Sequence, residues 1–476
     1  MQEQRKRSIS DVIESIGYGP AQIVTCFLVN GSWLADGCEL LVLSSINTIL
    51  ATEWGLSPLQ KGLLLSSVYV GVLLGNLLSG WVGDTMGRRK AVLMCFPLIA
   101  ILSAASAWAS GFWMLLPLRF FVGFGFGLGQ PSAVAILMEI SPTRHRPINQ
   151  AFAQVAFAIG ELYCCMVMWL DDPSMKHLNW RMLLLANTAP AILFWLLSSL
   201  YLKESPVFAA ASGNLQEAHD TLHEMRRLNG KEDVNIDFER TSESSPQGRL
   251  SQLPAGRSVA LCIVCFCYNL TIYGTFTAFP QLVPRLMHSE TESAVLELAK
   301  GACLEIPGDL FGLLFALSLP RKWVLYLYFI GTATSSVLFA SGTEQGLILG
   351  FYGNKLFPQM GSVSLFVLAA ESFDTQIRAT GTALALGVGR LGACLAPMVY
   401  EFTTNSFGTY QAFFHMSSIL LILCLIFTAA FIPETAGKTW LRPTESTPLR
   451  EDIKASHGTI TDGSTTNDGN IWQPAC

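Results

Sequence analysis

The sequence predicts an all-α integral membrane protein with twelve transmembrane helices in two six-helix bundles. Three observations predict it. Twelve apolar segments of about 20 residues, the length that crosses a hydrocarbon core, follow one another along the 476-residue chain. Hydrophobic residues make up 51% and charged residues 14%, against about 25% charge in soluble domains. Mean hydropathy is correspondingly positive, +0.42. Finally, Lys and Arg gather on alternate connections, as the positive-inside rule requires of an even number of crossings.

The apolar segments are placed at 21–50, 59–82, 90–109, 112–138, 149–172, 180–202, 257–284, 294–318, 322–341, 344–370, 379–402 and 410–432. A polar N-terminal segment, 1–20, precedes them and carries Arg5, Lys6 and Arg7. It lacks the apolar core of a cleavable signal, so the first span is expected to act as an uncleaved anchor. Residues 21–202 then form the first six-helix bundle and 257–432 the second. Between them, 203–256 reads as a polar linker. Within it, Asn214 to Asn229 has helical apolar spacing, and Ser242 to Gly248 reads as flexible. The tail, 433–476, is rich in Thr, Ser, Gly and Asp and reads as disordered.

Orientation follows from the basic residues. With the N-terminus inside, Arg5, Lys6, Arg7, Arg88, Arg89, Lys90, Arg144, Arg146, Lys203, Arg257, Arg321, Lys322 and Arg378 fall on one side, against Lys176, Arg181 and Arg285 on the other. Both termini are therefore expected to be cytoplasmic. Asn30 and Asn269 head glycosylation sequons but fall within spans, so neither is expected to be modified.

Composition also excludes function classes. A net charge of −5 does not suit a nucleic-acid binder. The twelve cysteines lie mostly in apolar runs, where they act as small hydrophobes. Cys262, Cys265 and Cys267 share one such run with no second ligand segment, so no metal site is expected. Seven scattered histidines and no nucleophile, metal or nucleotide constellation make an enzyme, or a resident cofactor, an unfavoured reading. Gly125 and Gly127 follow no strand and do not form a nucleotide loop. With Gly71, Gly75, Gly80, Gly123 and Gly129 they read as close helix packing.

Short motifs at the span ends carry a resemblance. The run Gly80-Trp-Val-Gly-Asp84-Thr-Met-Gly87-Arg88-Arg89-Lys90 is a glycine-bounded basic turn between the second and third spans. Arg119 begins a glycine pattern through Gly127, and Glu139-Ile-Ser-Pro142-Thr-Arg-His-Arg146 ends that span. Lys203-Glu204-Ser205-Pro206 follows the sixth. In the second half stand Glu371 to Arg378 and Gly381, Gly389-Arg390-Leu-Gly392, and Pro433-Glu434-Thr-Ala-Gly437-Lys438. In this order, these resemble the motifs of major facilitator superfamily transporters across nearly the whole chain.

The resemblance implies alternating access between two halves, with Asp84, Arg88, Arg89, Glu139, Arg146, Glu371 and Arg378 as gating residues. One departure stands out: the loop at 316–323 keeps Arg321 and Lys322 but lacks the Asp and Gly of the first-half motif. Asp36-Gly-Cys-Glu39 and Glu305-Ile-Pro307-Gly308 look like the synaptic-vesicle-protein-related and organic-ion branch, which also contains aromatic-acid and nicotinate carriers. The hexose-carrier alternative calls for a paired Gln in the seventh span, which here reads Tyr268-Asn269-Leu-Thr-Ile-Tyr273.

Substrate chemistry is read from charges inside spans, which are costly in hydrocarbon and face cavities or partners. These are Asp36, Glu39, Arg119 and Glu161 in the first half, and Lys300, Glu305, Asp309, Lys355 and Arg390 in the second. At ~1.5 Å rise per residue, Glu39 and Arg119 lie at similar depths, roughly 15 Å and about 11 Å from the outer surface. Asp36 and Glu39, at i and i+3, are expected to share a face toward Arg119, as a structural pair or as a proton-exchanging site. Glu305, Asp309, Lys355 and Arg390 are expected either to neutralise one another or to meet substrate. Lys300 is expected to snorkel outward. Lys355 or Arg390 would face a substrate carboxylate, and Tyr268, Asn269 and Tyr273 would add stacking and hydrogen bonds there, the alternative for the aromatic rings being helix packing.

The chain thus reads as a monomeric, multi-pass carrier of a small organic ion, either proton-coupled or facilitative. Its partners are expected to be the substrate, protons and the bilayer. A sugar porter is the alternative, and a non-transporting sensor or vesicle protein the reading from another class.

Overall fold

The computed structural model describes residues 7–238, 253–287, 293–373 and 377–434. The Ser242–Gly248 linker and nearly all of the tail expected to be disordered lie outside them. All regular structure in the described residues is helical. A short helix, α1 (Ile9–Ile16), lies ahead of the first span. It is closed by a reciprocal cap between Ser8 and Asp11, which satisfies donors that the first helical turn leaves free. Its apolar face, Val12, Ile13 and Ile16, is buried.

The first half contains α2 (Pro20–Trp54), α3 (Pro58–Met86), α4 (Arg88–Ser106), α5 (Phe112–Ile140), α6 (Arg146–Asp171), and a sixth span in two pieces, α7 (Trp180–Ala186) and α8 (Ala189–Tyr201). The linker forms α9 (Pro206–Ala211) and α10 (Leu215–Leu228). The second half contains α11 (Ala255–Leu286), α12 (Ala294–Ser318), α13 (Arg321–Ala340), α14 (Glu344–Glu371), α15 (Arg378–Phe407) and α16 (Gln411–Phe431). Ten candidate spans among the described residues are long and apolar enough to cross a bilayer. Helices α12 and α14, of 25 and 28 residues, complete the twelve.

Two features depart from an even ladder of spans. At 35 residues, α2 is about 50 Å long, so it projects beyond the hydrocarbon rather than ending at residue 50. The sixth span breaks at Asn187 and Thr188, ahead of Pro190 in the first turn of α8. Proline has no N–H to continue the ladder and is favoured at a helix start.

Close packing within the halves rests on glycine. A Cβ on Gly71 would land on the Phe120 carbonyl oxygen, and one on Gly123 on that of Val68. The α3–α5 seam is therefore backbone against backbone. Gly80, by contrast, faces open space. Gly87 (φ +103°) makes the one-residue turn between α3 and α4, a conformation that side chains resist.

The twelve successive helical crossings bring α1 and Glu434, near the first and last described residues, to the same end of the bundle, here called the terminal end. There Glu14 accepts from the backbone N–H and the hydroxyl of Thr143, each at 2.7 Å. Those bonds hold its carboxyl below the usual carboxylate range and fasten α1 to the turn before α6. Asn229, at the end of α10, accepts from the Ala21 N–H (3.0 Å) and donates to Gln22 (2.9 Å).

The apolar cores differ between the two ends. Away from the terminal end one continuous core includes Leu43, Leu65 and Trp180 of the first half together with Phe279, Phe351 and Phe414 of the second. At the terminal end the cores are separate, one around Phe96, Phe126 and Leu222, the other around Leu325, Phe373 and Cys424. The halves meet mainly through α3 with α15, α6 with α12, and α2 with α11.

Candidate functional site

Buried charges gather at two places, inside the first half and where the halves face each other. Glu39 of α2 and Arg119 of α5, 3% and 1% exposed, pair at 2.7 Å. Ser103 of α4 donates to Glu39, and Ser106 accepts from the Arg119 Nε at 3.1 Å. The pair is thus hydrogen-bonded as well as neutralised, the condition under which buried ions are tolerated. Asp36 does not share it. It accepts from Gln130 of α5 at 2.9 Å, so the expected common face of Asp36 and Glu39 divides between two partners. A cleft bordered by Asp36, Glu39, Tyr69 and Arg119 joins the two.

A second cluster bridges the halves. The Lys355 ammonium, on α14, donates to Glu161 of α6 at 2.9 Å and to Glu305 of α12 at 2.5 Å. Gln359 donates to the other Glu305 oxygen at 2.9 Å. All three ionic side chains are at most 5% exposed, and the ammonium also lies 4.7 Å from the Phe276 ring centroid. Of Glu305, Asp309, Lys355 and Arg390, Glu305 and Lys355 neutralise each other as expected, and the other two do not join them. Glu161 of the opposite half takes a share of Lys355, Asp309 stands apart, and Arg390 points elsewhere.

Arg390 on α15 donates to the Tyr273 hydroxyl at 3.1 Å, its one hydrogen-bond partner among the described residues. It lies within electrostatic range of Asp36 across the interface. Between Arg390 and the Lys355 bridge runs an aromatic seam of Tyr69 with Tyr273 (4.8 Å between centroids), Tyr273 with Phe276 (6.1 Å) and Phe276 with Phe157 (5.7 Å). These rings come from both halves. Of the other seventh-span candidates, Tyr268 packs on Tyr328 inside the second half (5.4 Å), and Asn269 bonds back to the Cys265 carbonyl (2.8 Å). Lys300 pairs with Glu297 at 2.6 Å.

At the terminal end, Arg88 pairs with Asp84 (2.9 Å) and Glu139 (3.3 Å). Arg89 donates to the Leu202 carbonyl at 2.6 Å. Arg146 does not join Glu139, and its Nε is buried with no hydrogen-bond partner among the described residues. Glu371 meets Arg321 at 3.6 Å, and Arg378 donates to the Phe373 carbonyl at 3.4 Å. Glu204 accepts the Arg89 N–H at 3.1 Å, and Glu434 the Arg321 and Lys322 N–H groups at 3.1 Å each. One carboxylate thus caps the third span of each half, where the helix dipole favours negative charge. Burial holds Glu204 above the usual carboxylate range. The named contacts at this end each close within one half.

The opposite end is joined across the halves. Lys61 of α3 reaches Glu401 of α15 at 3.0 Å and Gln281 of α11 at 3.1 Å. Ser293, ahead of α12, donates to the Pro173 carbonyl at 2.7 Å. Sequence reasoning passed over Lys61, Gln281 and Glu401, along with Gln130 and Gln359. The first three sit toward span ends, where charge is cheap. Glutamine carries no charge to mark it.

Similarity to known proteins agrees with this architecture. The chain is 26% identical over 433 residues to the niacin transporter NiaP of Acinetobacter baylyi, covering 90% of this chain and 97% of that one. It is 28% identical over 455 residues to the synaptic vesicle 2-related protein of Rattus norvegicus, covering 90% and 81%. The fold superposes on the xylose transporter XylE from E. coli, in a partially occluded inward open conformation, with a TM-score of 0.70. That superposition has 20% identity and covers 88% of this chain and 99% of that one. The Sugar (and other) transporter family matches residues 44–442, and the chain belongs to that family, within the major facilitator superfamily.

Proposed function

We propose that the protein carries a small organic ion bearing a carboxylate across its membrane by alternating access, coupled to protons. The observation that carries this reading is Arg390. Its guanidinium sits at the junction of the halves with Tyr273 as its one hydrogen-bond partner among the described residues. A planar fork with unused donors suits a carboxylate, and the ring seam from Tyr69 to Phe276 beside it suits a flat apolar body. That a relative carries the name niacin transporter is in keeping with such a substrate.

Asp36, partly exposed and facing Arg390 across the interface, is the carboxylate placed to release a proton as substrate leaves. Glu39, already paired with Arg119, supports it. The distribution of Lys and Arg supports a cytoplasmic terminal end. On that orientation, the fused core and the Lys61–Glu401 contact mark a state closed to the outside. The chain holds all of these groups itself, so a monomer suffices.

Uptake into proteoliposomes tests the proposal, using nicotinate, benzoate, an organic amine and glucose, with and without an inward proton gradient. Gradient-driven accumulation of a carboxylate is expected. In Arg390→Lys, which keeps charge but not the fork, KM is expected to rise about tenfold. Glucose uptake without carboxylate uptake would replace the reading with a sugar porter. Folded protein that binds but moves none of the panel would make it a sensor.

A further inference from the structure

Asp309 lies on α12 one turn beyond Glu305, fully buried, and neither of its carboxylate oxygens has a hydrogen-bond partner among the described residues. The helices packed against α12 are α14, α6, α11 and α13. Their charged or titratable groups nearest this region are Lys355, Glu161, Tyr268 and Tyr328. The one cation, Lys355, is engaged by Glu305 and Glu161. Tyr268 is within electrostatic range of Asp309 and packs on Tyr328. The hydroxyls of Tyr328 and Thr332, one turn apart on α13, are themselves buried and have no hydrogen-bond partner among the described residues.

An ionised carboxylate at Asp309 would have neither a donor nor a free counter-charge, the arrangement that protein and membrane interiors least tolerate. We propose that Asp309 is a proton-binding site of the second half, held as the neutral acid in this state and filled and emptied through Glu305. On release, the O–H bond on Asp309 breaks as one forms on the Glu305 carboxylate. The proton then leaves toward the junction of the halves once Lys355 moves away. Glu305 and Asp309, at i and i+4, lie on one helix face, so transfer needs no large backbone motion. The inference rests on the proton-coupled carrier reading above, and it gives each half its own titrating carboxylate.

Two measurements test it. Native protein in lipid is treated with dicyclohexylcarbodiimide, which attacks protonated carboxyls in apolar surroundings, and the adduct is located by mass spectrometry. An adduct on Asp309 at pH 7 that declines as pH rises is expected; no adduct on Asp309 overturns the proposal and needs no variant. Then Asp309→Asn, shaped like the neutral acid, is compared with the native chain in proteoliposomes. Nicotinate counterflow is expected to persist while gradient-driven accumulation and its pH dependence are lost. Unchanged accumulation overturns the coupling role. If the native chain moves no nicotinate, the substrate reading fails instead, and labelling still decides Asp309.

Discussion

Arg119 pairs with Glu39 deep in the first half, where the nearest alternative partners are the hydroxyls of Ser103 and Ser106. Removing the cation alone leaves Glu39 buried and uncompensated, which costs about 3–5 kcal/mol. Arg119→Met is therefore expected to lower the unfolding midpoint in detergent strongly. Arg119→Met combined with Glu39→Met removes both charges and should recover most of that loss. A double variant no more stable than the single one would show that the pair contributes nothing through its charge. This pair was legible in the sequence, since depth arithmetic put one cation and one acid at the same level. The partner of Asp36 was not, because Gln130 sits unmarked in a glycine-rich helix. The division of Lys355 between two halves was equally hidden, since periodicity within one helix carries no information about which half faces it.

Helix α3 shows how placement decides what a side chain costs. Gly123→Ala on α5 drives a methyl group into the Val68 carbonyl across the seam. Overpacking of that kind costs about 1–3 kcal/mol, and the neighbour is backbone, which cannot rotate away. Gly80→Ala, on the open side of α3, instead removes a flexible residue from a helix and should be neutral or stabilising by up to ~1 kcal/mol. Thermal unfolding of the two variants checks the contrast; equal midpoints would mean that the seam can relax. The sequence marked all these glycines alike. It could separate packed from open ones only with a partner helix in view, whereas α10 was legible from its helical apolar spacing, and Asn214 caps its start.

At the scale of the whole molecule, the asymmetry between its ends sets which state is seen. Lys61 and Glu401 are 18% and 7% exposed, so their pairing is worth about 1 kcal/mol, roughly fivefold in an opening equilibrium. With Ser66→Cys as reporter, about 7 Å further along α3, Lys61→Glu should speed labelling by an impermeant maleimide several-fold. Lys61→Glu with Glu401→Lys should slow it again. An unchanged rate in the charge-reversed chain would remove this pair from the gate. Twelve spans in two halves could be counted from hydropathy alone, but which end is closed could not. That depends on side chains of two distant segments meeting, and hydropathy reports each segment separately.

The core shared by the halves away from the terminal end has a thermal consequence. For the halves to part there, Leu43, Leu65, Phe279 and their neighbours must be wetted, and hydrating apolar surface raises heat capacity. Parting at the terminal end, where the cores are already separate, exposes no comparable surface. The balance between the two open states should therefore follow a curved van't Hoff plot, and cooling should make the shared core easier to split.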